Sequence, residues 1–381
     1  MSKKKIIRNA ILVLAILILM VILIVSLGDI KTIWNELINA NVWIVLLAVA
    51  ALLLYAFFNQ LSLISLTKFR YKEIKYVDCY TISGSEYFFN ALTPFSSGGQ
   101  PFQAYAFKRK GMSLADSTSV LLINFIAYQT CLNVIAAVFI IIYYGKVKEQ
   151  VSGYIWLLIL GFSINLLIMV GLLSIGLFKT VGRFFLKLFD LICKIKPLRR
   201  FQSRHDRFET YIINMQLAFK EITKNLKLWV WVILTKVVAF GIYYSIPFFA
   251  LYAVGVKVDF ADLPYVMALT AFTLTISAWV PTPGGAGGVE AAFALLFSPF
   301  VVSYGYDQET AKSVSLAIML IWRMLTYYLL ILYGFILYLV FEKRDKSYSF
   351  LTNDKKEEEE TSIESDITVD TFDKEDNIEE K

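Results

Sequence analysis

The stretch from Val280 to Glu290 constrains this chain most, because it places two prolines and four glycines between two apolar segments. Residues 265–280 before it and 291–302 after it are almost all hydrophobic or small. Proline and clustered glycine cannot continue a helix. Backbone without helical hydrogen bonds is tolerated at membrane depth only where protein encloses it or where it lines a wet cavity. The stretch therefore predicts a broken helix that the rest of the chain must enclose.

Several other apolar runs approach or exceed the ~20 residues that a helix needs to cross a bilayer. The chain is 57% hydrophobic and only 18% charged, so a soluble fold is hard to build from it. We predict an all-α polytopic membrane protein with about six full spans and two broken or re-entrant helical hairpins. The predicted full spans are residues 11–27, 42–66, 114–144, 154–178, 228–254 and 312–341. Residues 28–41 are expected to be a short outer loop.

Basic clusters give the spans an orientation, since Lys and Arg concentrate in cytoplasmic loops. These clusters lie at the N-terminus and at residues 68–75, 108–110, 179–227 and 343–346. They all fall on one side only if residues 77–107 and 265–302 each cross the membrane an even number of times, as hairpins do. Both termini are then cytoplasmic. The first apolar run is longer than a usual signal sequence and no A-x-A site follows it, so we expect it to be retained.

Two domains follow from composition. Residues 1–346 form an integral membrane domain that carries the basic cytoplasmic loop 179–227, with twelve Lys or Arg against four acids. Apolar residues recur there at helical spacing, which predicts amphipathic helices at the membrane surface. The loop either attracts anionic lipid or is an ordinary positive-inside loop. Residues 347–381 are predicted to be a disordered acidic cytoplasmic tail, either solubilising or regulatory.

The broken stretch has a counterpart in the first half of the chain. Thr93-Pro94 is followed by Gly98-Gly99, and Thr282-Pro283 by Gly287-Gly288, so both read T-P-x-x-x-G-G. The charge map brings the first hairpin in from the cytoplasm and the second from outside. Matched Pro/Gly-interrupted segments in two halves are typical of inverted-repeat transporters, whose substrate site lies near the midplane. A chance match of a short motif is the alternative.

The two motifs offer groups that could hold a polar lipid head group. A helix that starts after a break presents unpaired N–H groups and a positive dipole end, which favour phosphate or carboxylate. The alternative is that the small residues only allow close helix packing. The candidate head-group residues in and around the first motif are Ser83, Glu86, Asn90, Thr93, Pro94, Ser96, Ser97, Gly98, Gly99 and Gln100. Those in the second half are Thr282, Pro283, Gly284, Gly285, Gly287, Gly288, Glu290 and Arg323.

Charged residues inside apolar segments are a sharper signal, because a charge at the bilayer centre costs at least ~2.5 kcal/mol and usually faces a cavity or a partner. Glu86, Lys236, Glu290 and Arg323 are such residues. Glu290 stands in the first turn of a half-helix, where it could cap the helix or respond to protons or a head group. Glu290 and Arg323 could form a buried pair.

Catalytic and metal sites find little support in the sequence. His205 is the single histidine, and the three cysteines are scattered, so neither a Ser-His pair nor a metal site is expected. No G-x-x-x-x-G-K-[ST] phosphate loop occurs. We predict no catalytic residue, no metal, no cofactor and no nucleic-acid partner.

The two motifs, Asn90–Pro101 and Pro281–Glu290, resemble those of the lysylphosphatidylglycerol synthase transmembrane family. This family is the flippase-like membrane half of the multiple peptide resistance factor proteins. The resemblance covers roughly residues 8–342. It implies a bacterial cytoplasmic (inner) membrane protein that moves lipids between leaflets, with aminoacylated phosphatidylglycerol as substrate in the resistance factors, and hence a link to cationic peptide resistance. The forty residues after Phe341 are too few and too polar for a transferase domain, so lysyl transfer is not expected.

The predicted function is a lipid flippase for an anionic phospholipid, an aminoacyl-phospholipid or a glycolipid. Two alternatives remain at this point: a membrane-embedded lipid-modifying transferase resembling a phosphatidylglycerol lysyltransferase, and a non-transporting partner in envelope assembly. Membrane lipids are the expected partners. A homo-oligomer and a separate lipid-synthesising enzyme are further candidate partners.

Overall fold

The computed structural model describes residues 30–193, 205–278, 280, 282–285 and 287–344. The predicted first span and the predicted acidic tail lie outside these residues. The described residues are helical and contain no strand. The first nine helices are α1 Ile30–Ile38, α2 Val42–Arg70, α3 Tyr76–Gly84, α4 Glu86–Ala91, α5 Gly99–Arg109, α6 Leu114–Gln150, α7 Ile155–Leu177, α8 Lys179–Cys193 and α9 His205–Thr223. The last four are α10 Leu226–Ala253, α11 Leu263–Ser277, α12 Gly288–Val302 and α13 Gln308–Arg344.

Six helices of the described residues are long and apolar enough to cross a membrane. Five of them are predicted full spans: α2, α6, α7, α10 and α13. The sixth, Phe260–Ser277, is the first arm of the second hairpin and not a separate span. The all-α polytopic fold is therefore confirmed, whereas the loop predicted at residues 28–41 is wrong in part because α1 occupies most of it.

The first N–H groups of a helix have no partner within the helix. At the start of two long apolar helices, a polar side chain accepts one of these N–H groups. The Asn41 side chain accepts from the N–H of Trp43 at 3.0 Å at the start of α2. The Ser113 hydroxyl accepts from the N–H of Asp116 at 3.0 Å at the start of α6. Basic side chains fill the last turn of α2, where the helix dipole favours them.

Each predicted hairpin is a helix, a non-helical break and a second helix. The first hairpin runs through α3 and α4, the first break (residues 92–98) and α5. The second runs through α11, the second break (residues 278, 280, 282–285 and 287 of the described chain) and α12. Proline and glycine end the helices at both breaks, as their chemistry requires.

The two hairpins approach from opposite ends of α13. The open end of the first hairpin lies at the C-terminal end of α13, where Asp78 pairs with Arg344 at 3.2 Å and Arg109 with Glu342 at 2.9 Å. The open end of the second hairpin precedes α13 by only residues 303–307, so it lies at the N-terminal end. With 37 residues, α13 is about 55 Å long. This arrangement is the one expected of an inverted repeat.

The basic loop forms two helices, α8 and α9, as predicted, but their apolar faces differ. Met215 and Phe219 of α9 are buried, and the Ser119 hydroxyl donates to the Met215 carbonyl at 2.9 Å, so α9 is held by the helix bundle. On α8, Phe184 and Leu191 are exposed. Ile213 and Leu217 of α9 are exposed as well, so both helices present apolar side chains to a membrane surface.

Candidate functional site

The two breaks share a backbone conformation at corresponding positions of the T-P-x-x-x-G-G motif. Phe95 and Gly284 both follow the proline, and their φ angles are 54° and 64°. The next residues, Ser96 and Gly285, have φ angles of 49° and 66°. The helices that follow begin at the second glycine of each motif, Gly99 and Gly288. The repeated motif thus specifies the same turn twice.

Side chains of the first hairpin cap the helix that leaves the first break. The Gly98 N–H donates to the Thr93 hydroxyl at 2.8 Å. The Gly99 N–H donates to the Asn90 side-chain oxygen at 2.8 Å. Buried N–H groups need such partners, so the chain itself satisfies two of the donors that the sequence suggested for a phosphate.

Glu290 and Arg323 hold the second break together. Glu290 Oε1 accepts from Arg323 Nε at 3.1 Å, and Oε2 accepts from the Gly287 N–H at 2.6 Å. Arg323 Nη2 also donates to the Gly284 carbonyl at 2.9 Å. Glu290 is 0% exposed, so its carboxylate is committed to the helix start and to Arg323. The predicted pair exists, and the geometry is that of the capping role.

The breaks meet halfway along α13. The turn Pro94–Ser96 lies against the turn Pro283–Gly285. Tyr327 lies beside this contact: its hydroxyl donates to the carbonyl of Ala91, the last residue before the first break, at 3.3 Å, and a Cβ added at Gly284 in the second break would lie 2.2 Å from its ring. Residues 324–329 form a π-helical segment of α13 at this point, a feature frequent at functional sites.

A cavity of about 680 Å³ opens between the breaks and helices α2, α6, α7, α10 and α13. Its volume is within the range of small-molecule sites. Polar and charged groups line much of it, although most of its walls belong to apolar helices. The charged residues on its wall are Glu86, Lys236 and Arg323. The aromatic hydroxyls on it belong to Tyr55, Tyr87, Tyr128, Tyr243 and Tyr327.

Lys236 is the buried cation of this cavity, at 2% exposure. Its Nζ donates to Asn59 Oδ1 at 2.7 Å and approaches the Asn59 carbonyl at 3.3 Å. Asn59 Nδ2 donates to the Tyr87 hydroxyl at 2.8 Å. On the neighbouring wall, Gln103 Nε2 donates to Glu86 Oε2 at 2.9 Å. Helices α2, α4, α5 and α10 therefore meet in one polar network.

The candidate residues from the sequence divide into two groups. Those on the cavity wall are Glu86, Asn90, Ser96, Ser97, Gln100, Thr282, Gly284, Gly285 and Arg323. Those that instead shape the breaks or pack behind the wall are Ser83, Thr93, Gly98, Gly99, Gly287, Gly288 and Glu290. Pro94 and Pro283 begin the two turns. Contact of any of them with a head group stays a prediction.

Several residues of the cavity were not among the candidates. Lys236 is visible in the sequence as a charge in an apolar span, and Asn59 as a polar residue in another. Gln103 follows the first motif and could be found by helical spacing, since it lies one turn after Gly99. Tyr327 carries no such signal.

Comparison with known families decides the classification. A profile of the family described as lysylphosphatidylglycerol synthase TM region matches residues 10–334. The chain belongs to this family. Among curated proteins no relative matches. Both breaks and all described residues of the cavity wall lie inside the matched region. The cavity of this member of the lysylphosphatidylglycerol synthase TM family is therefore built from the segment that the family profile describes.

Proposed function

We propose that this protein moves a polar lipid head group across the cytoplasmic membrane of a bacterium. Membership of a lipid-related membrane family supports a role in lipid metabolism or translocation. The head groups considered are those of an anionic phospholipid, an aminoacyl-phospholipid and a glycolipid. Outward movement of an aminoacyl-phospholipid would add positive charge to the cell surface and weaken the attraction of cationic peptides.

One observation carries the proposal: a polar cavity with buried charges lies where two broken hairpins from opposite ends of α13 meet. Intramembrane charges that face a cavity mark substrate pathways. The cavity can hold a head group, while the exposed apolar faces of the spanning helices remain in contact with lipid. Rocking of the two halves about the contact of the breaks would expose the cavity to each side in turn.

The orientation follows from charge. Arg70, Arg109 and Arg344 lie at the same end of the bundle as the open end of the first hairpin. Under the positive-inside rule this end faces the cytoplasm, and so do both termini. Labelling of single cysteines at Lys72 and at Asp307 with a membrane-impermeant reagent tests this, since only the second is expected to react in intact cells.

The test is lipid movement in proteoliposomes. Tail-labelled fluorescent phosphatidylglycerol, aminoacyl-phosphatidylglycerol and a glycolipid would be reconstituted with the protein, and the outer leaflet bleached with dithionite. We expect faster loss of the protected fraction than in protein-free liposomes for at least one head group. No acceleration with any head group would overturn the proposal.

A further inference from the structure

Lys236 and Glu86 differ from Arg323, the third charged residue on the cavity wall, because neither has a counter-ion in direct contact among the described residues. Arg323 is neutralised by Glu290 at 3.1 Å. Among the described residues, no carboxylate oxygen lies within 4.0 Å of Lys236 Nζ. Its side-chain partner is the neutral amide of Asn59, at 2.7 Å. A buried ammonium in that state is costly unless a charge of opposite sign is near.

Glu86 supplies that charge at a distance. It lines the same cavity as Lys236 and lies close enough for electrostatic attraction. Asn59, which binds Lys236 Nζ, lines the same part of the cavity as Glu86. The charges of the cavity wall are therefore close to balanced, although Lys236 and Glu86 do not touch each other.

We propose that Lys236 binds the phosphate of the lipid head group and that Glu86 is the internal counter-ion which this phosphate replaces. The inference rests on the proposed function and names its ligand chemistry, a phosphodiester at the head of a lipid. A Lys ammonium has three N–H donors, and Asn59 accounts for two contacts, at Oδ1 and at the carbonyl. The third donor is available to a phosphate oxygen in the cavity.

The chemistry explains why both charges are present. Before a ligand binds, the Glu86 carboxylate offsets the ammonium and lowers the cost of burying it. A phosphate that reaches Lys236 makes a charge-assisted hydrogen bond, which is stronger than a neutral one. Gln103 holds Glu86 Oε2 at 2.9 Å, so the carboxylate stays on its own wall and leaves room for the ligand.

The test is equilibrium binding of tail-labelled phosphatidylglycerol to the full chain in detergent, followed by fluorescence anisotropy. Lys236→Gln should weaken binding about tenfold or more, as expected for a lost hydrogen bond to a charged group. Lys236→Arg should retain most of it. Glu86→Gln keeps an oxygen for Gln103 but removes the competing charge, and it should strengthen binding several-fold. Lys312→Gln, an exposed lysine on α13 outside the cavity, is the control and should bind as wild type.

Three further arms separate the sources of the signal. Tail-labelled diacylglycerol lacks phosphate and should not respond to any of the substitutions. Unlabelled phosphatidylglycerol should compete, and inorganic phosphate should compete only weakly if acyl chains contribute. Unchanged binding in Lys236→Gln, or weaker binding in Glu86→Gln, with both variants folded by size exclusion and thermal unfolding, would overturn the inference. Binding that follows this charge pattern without any lipid movement in liposomes would instead overturn the proposed function alone.

Discussion

Glu290 and Arg323 lie on different helices and form a buried ion pair at 3.1 Å in which each partner also binds backbone of the second break. The carboxylate holds the N–H of Gly287 and the guanidinium holds the carbonyl of Gly284. The pair therefore replaces helical hydrogen bonds that the prolines and glycines remove. Non-helical backbone inside a membrane domain requires such replacement.

Removal of the Glu290 charge should destabilise the protein strongly. Glu290→Gln leaves Arg323 buried without its counter-ion, and breaking one partner of a buried pair typically costs about 3–5 kcal/mol. The measurement is unfolding of the detergent-solubilised protein, by heat or by denaturant. We expect a clear loss of stability together with increased protease cleavage at the second break.

The matched control is Glu221→Gln. Glu221 pairs with Arg70 at 2.6 Å, but its side chain is 61% exposed, and exposed pairs contribute only about 0–1 kcal/mol. Equal effects of the two substitutions would show that the Glu290–Arg323 pair is not a structural support of the break.

The sequence predicts the breaks but not what encloses them. Proline and glycine chemistry places both interruptions, and the T-P-x-x-x-G-G spacing correctly relates the helix starts at Gly99 and Gly288. Charge in apolar segments correctly selects Glu290 and Arg323 as partners. The positions of the breaks follow from the local chemistry of proline and glycine. The pairing of Glu290 with Arg323 follows from the cost of burying a charge in a membrane.

Long-range packing is outside the reach of those rules. Tyr327 contacts Gly284 in the second break and also Ala91, the last residue before the first break, 236 positions away, and a tyrosine in an apolar span gives no sign of such a role. The caps from Thr93 and Asn90 show the same limit. The sequence predicts that these two side chains bind a ligand. In the structure they instead accept hydrogen bonds from the N–H groups of Gly98 and Gly99, which need partners inside the protein.

Gly284 should tolerate no side chain, for two separable reasons. Its φ angle is 64°, which costs a residue with a Cβ about 1–2 kcal/mol, and that Cβ would lie 2.2 Å from the Tyr327 ring. Gly284→Ala should therefore lower stability more than Gly255→Ala, where φ is 82° but nothing lies within 4 Å. Thermal unfolding of both variants measures the difference. If crowding is its cause, Tyr327→Ala should recover part of the loss in Gly284→Ala and nothing in Gly255→Ala.

Phe95 should be replaceable by glycine with a gain in stability. It occupies the position that Gly284 holds in the second break, with φ of 54°, and its side chain is 56% exposed. Glycine relieves a backbone cost of about 1–2 kcal/mol, whereas an exposed ring contributes little packing. Phe95→Val should be worse than wild type, because β-branched residues fit positive φ poorly. The order Gly, Phe, Val in unfolding temperature is the expected result, and a lower value for Gly than for Val would contradict it.

Two glycines on α7 should respond in opposite directions to the same substitution. A Cβ at Gly161 would lie 2.3 Å from the carbonyl oxygen of Thr275, so α7 and α11 approach closely only because Gly161 has no side chain. Gly161→Ala must push the second hairpin away and should reduce stability. Gly171 lies on the same helix, but an added Cβ there would have nothing within 4 Å. Gly171→Ala should therefore raise stability by up to about 1 kcal/mol, because alanine has the higher helix propensity. Unfolding of both variants in the same detergent provides the comparison; a destabilised Gly171→Ala or a neutral Gly161→Ala would argue against this packing of α7 on α11.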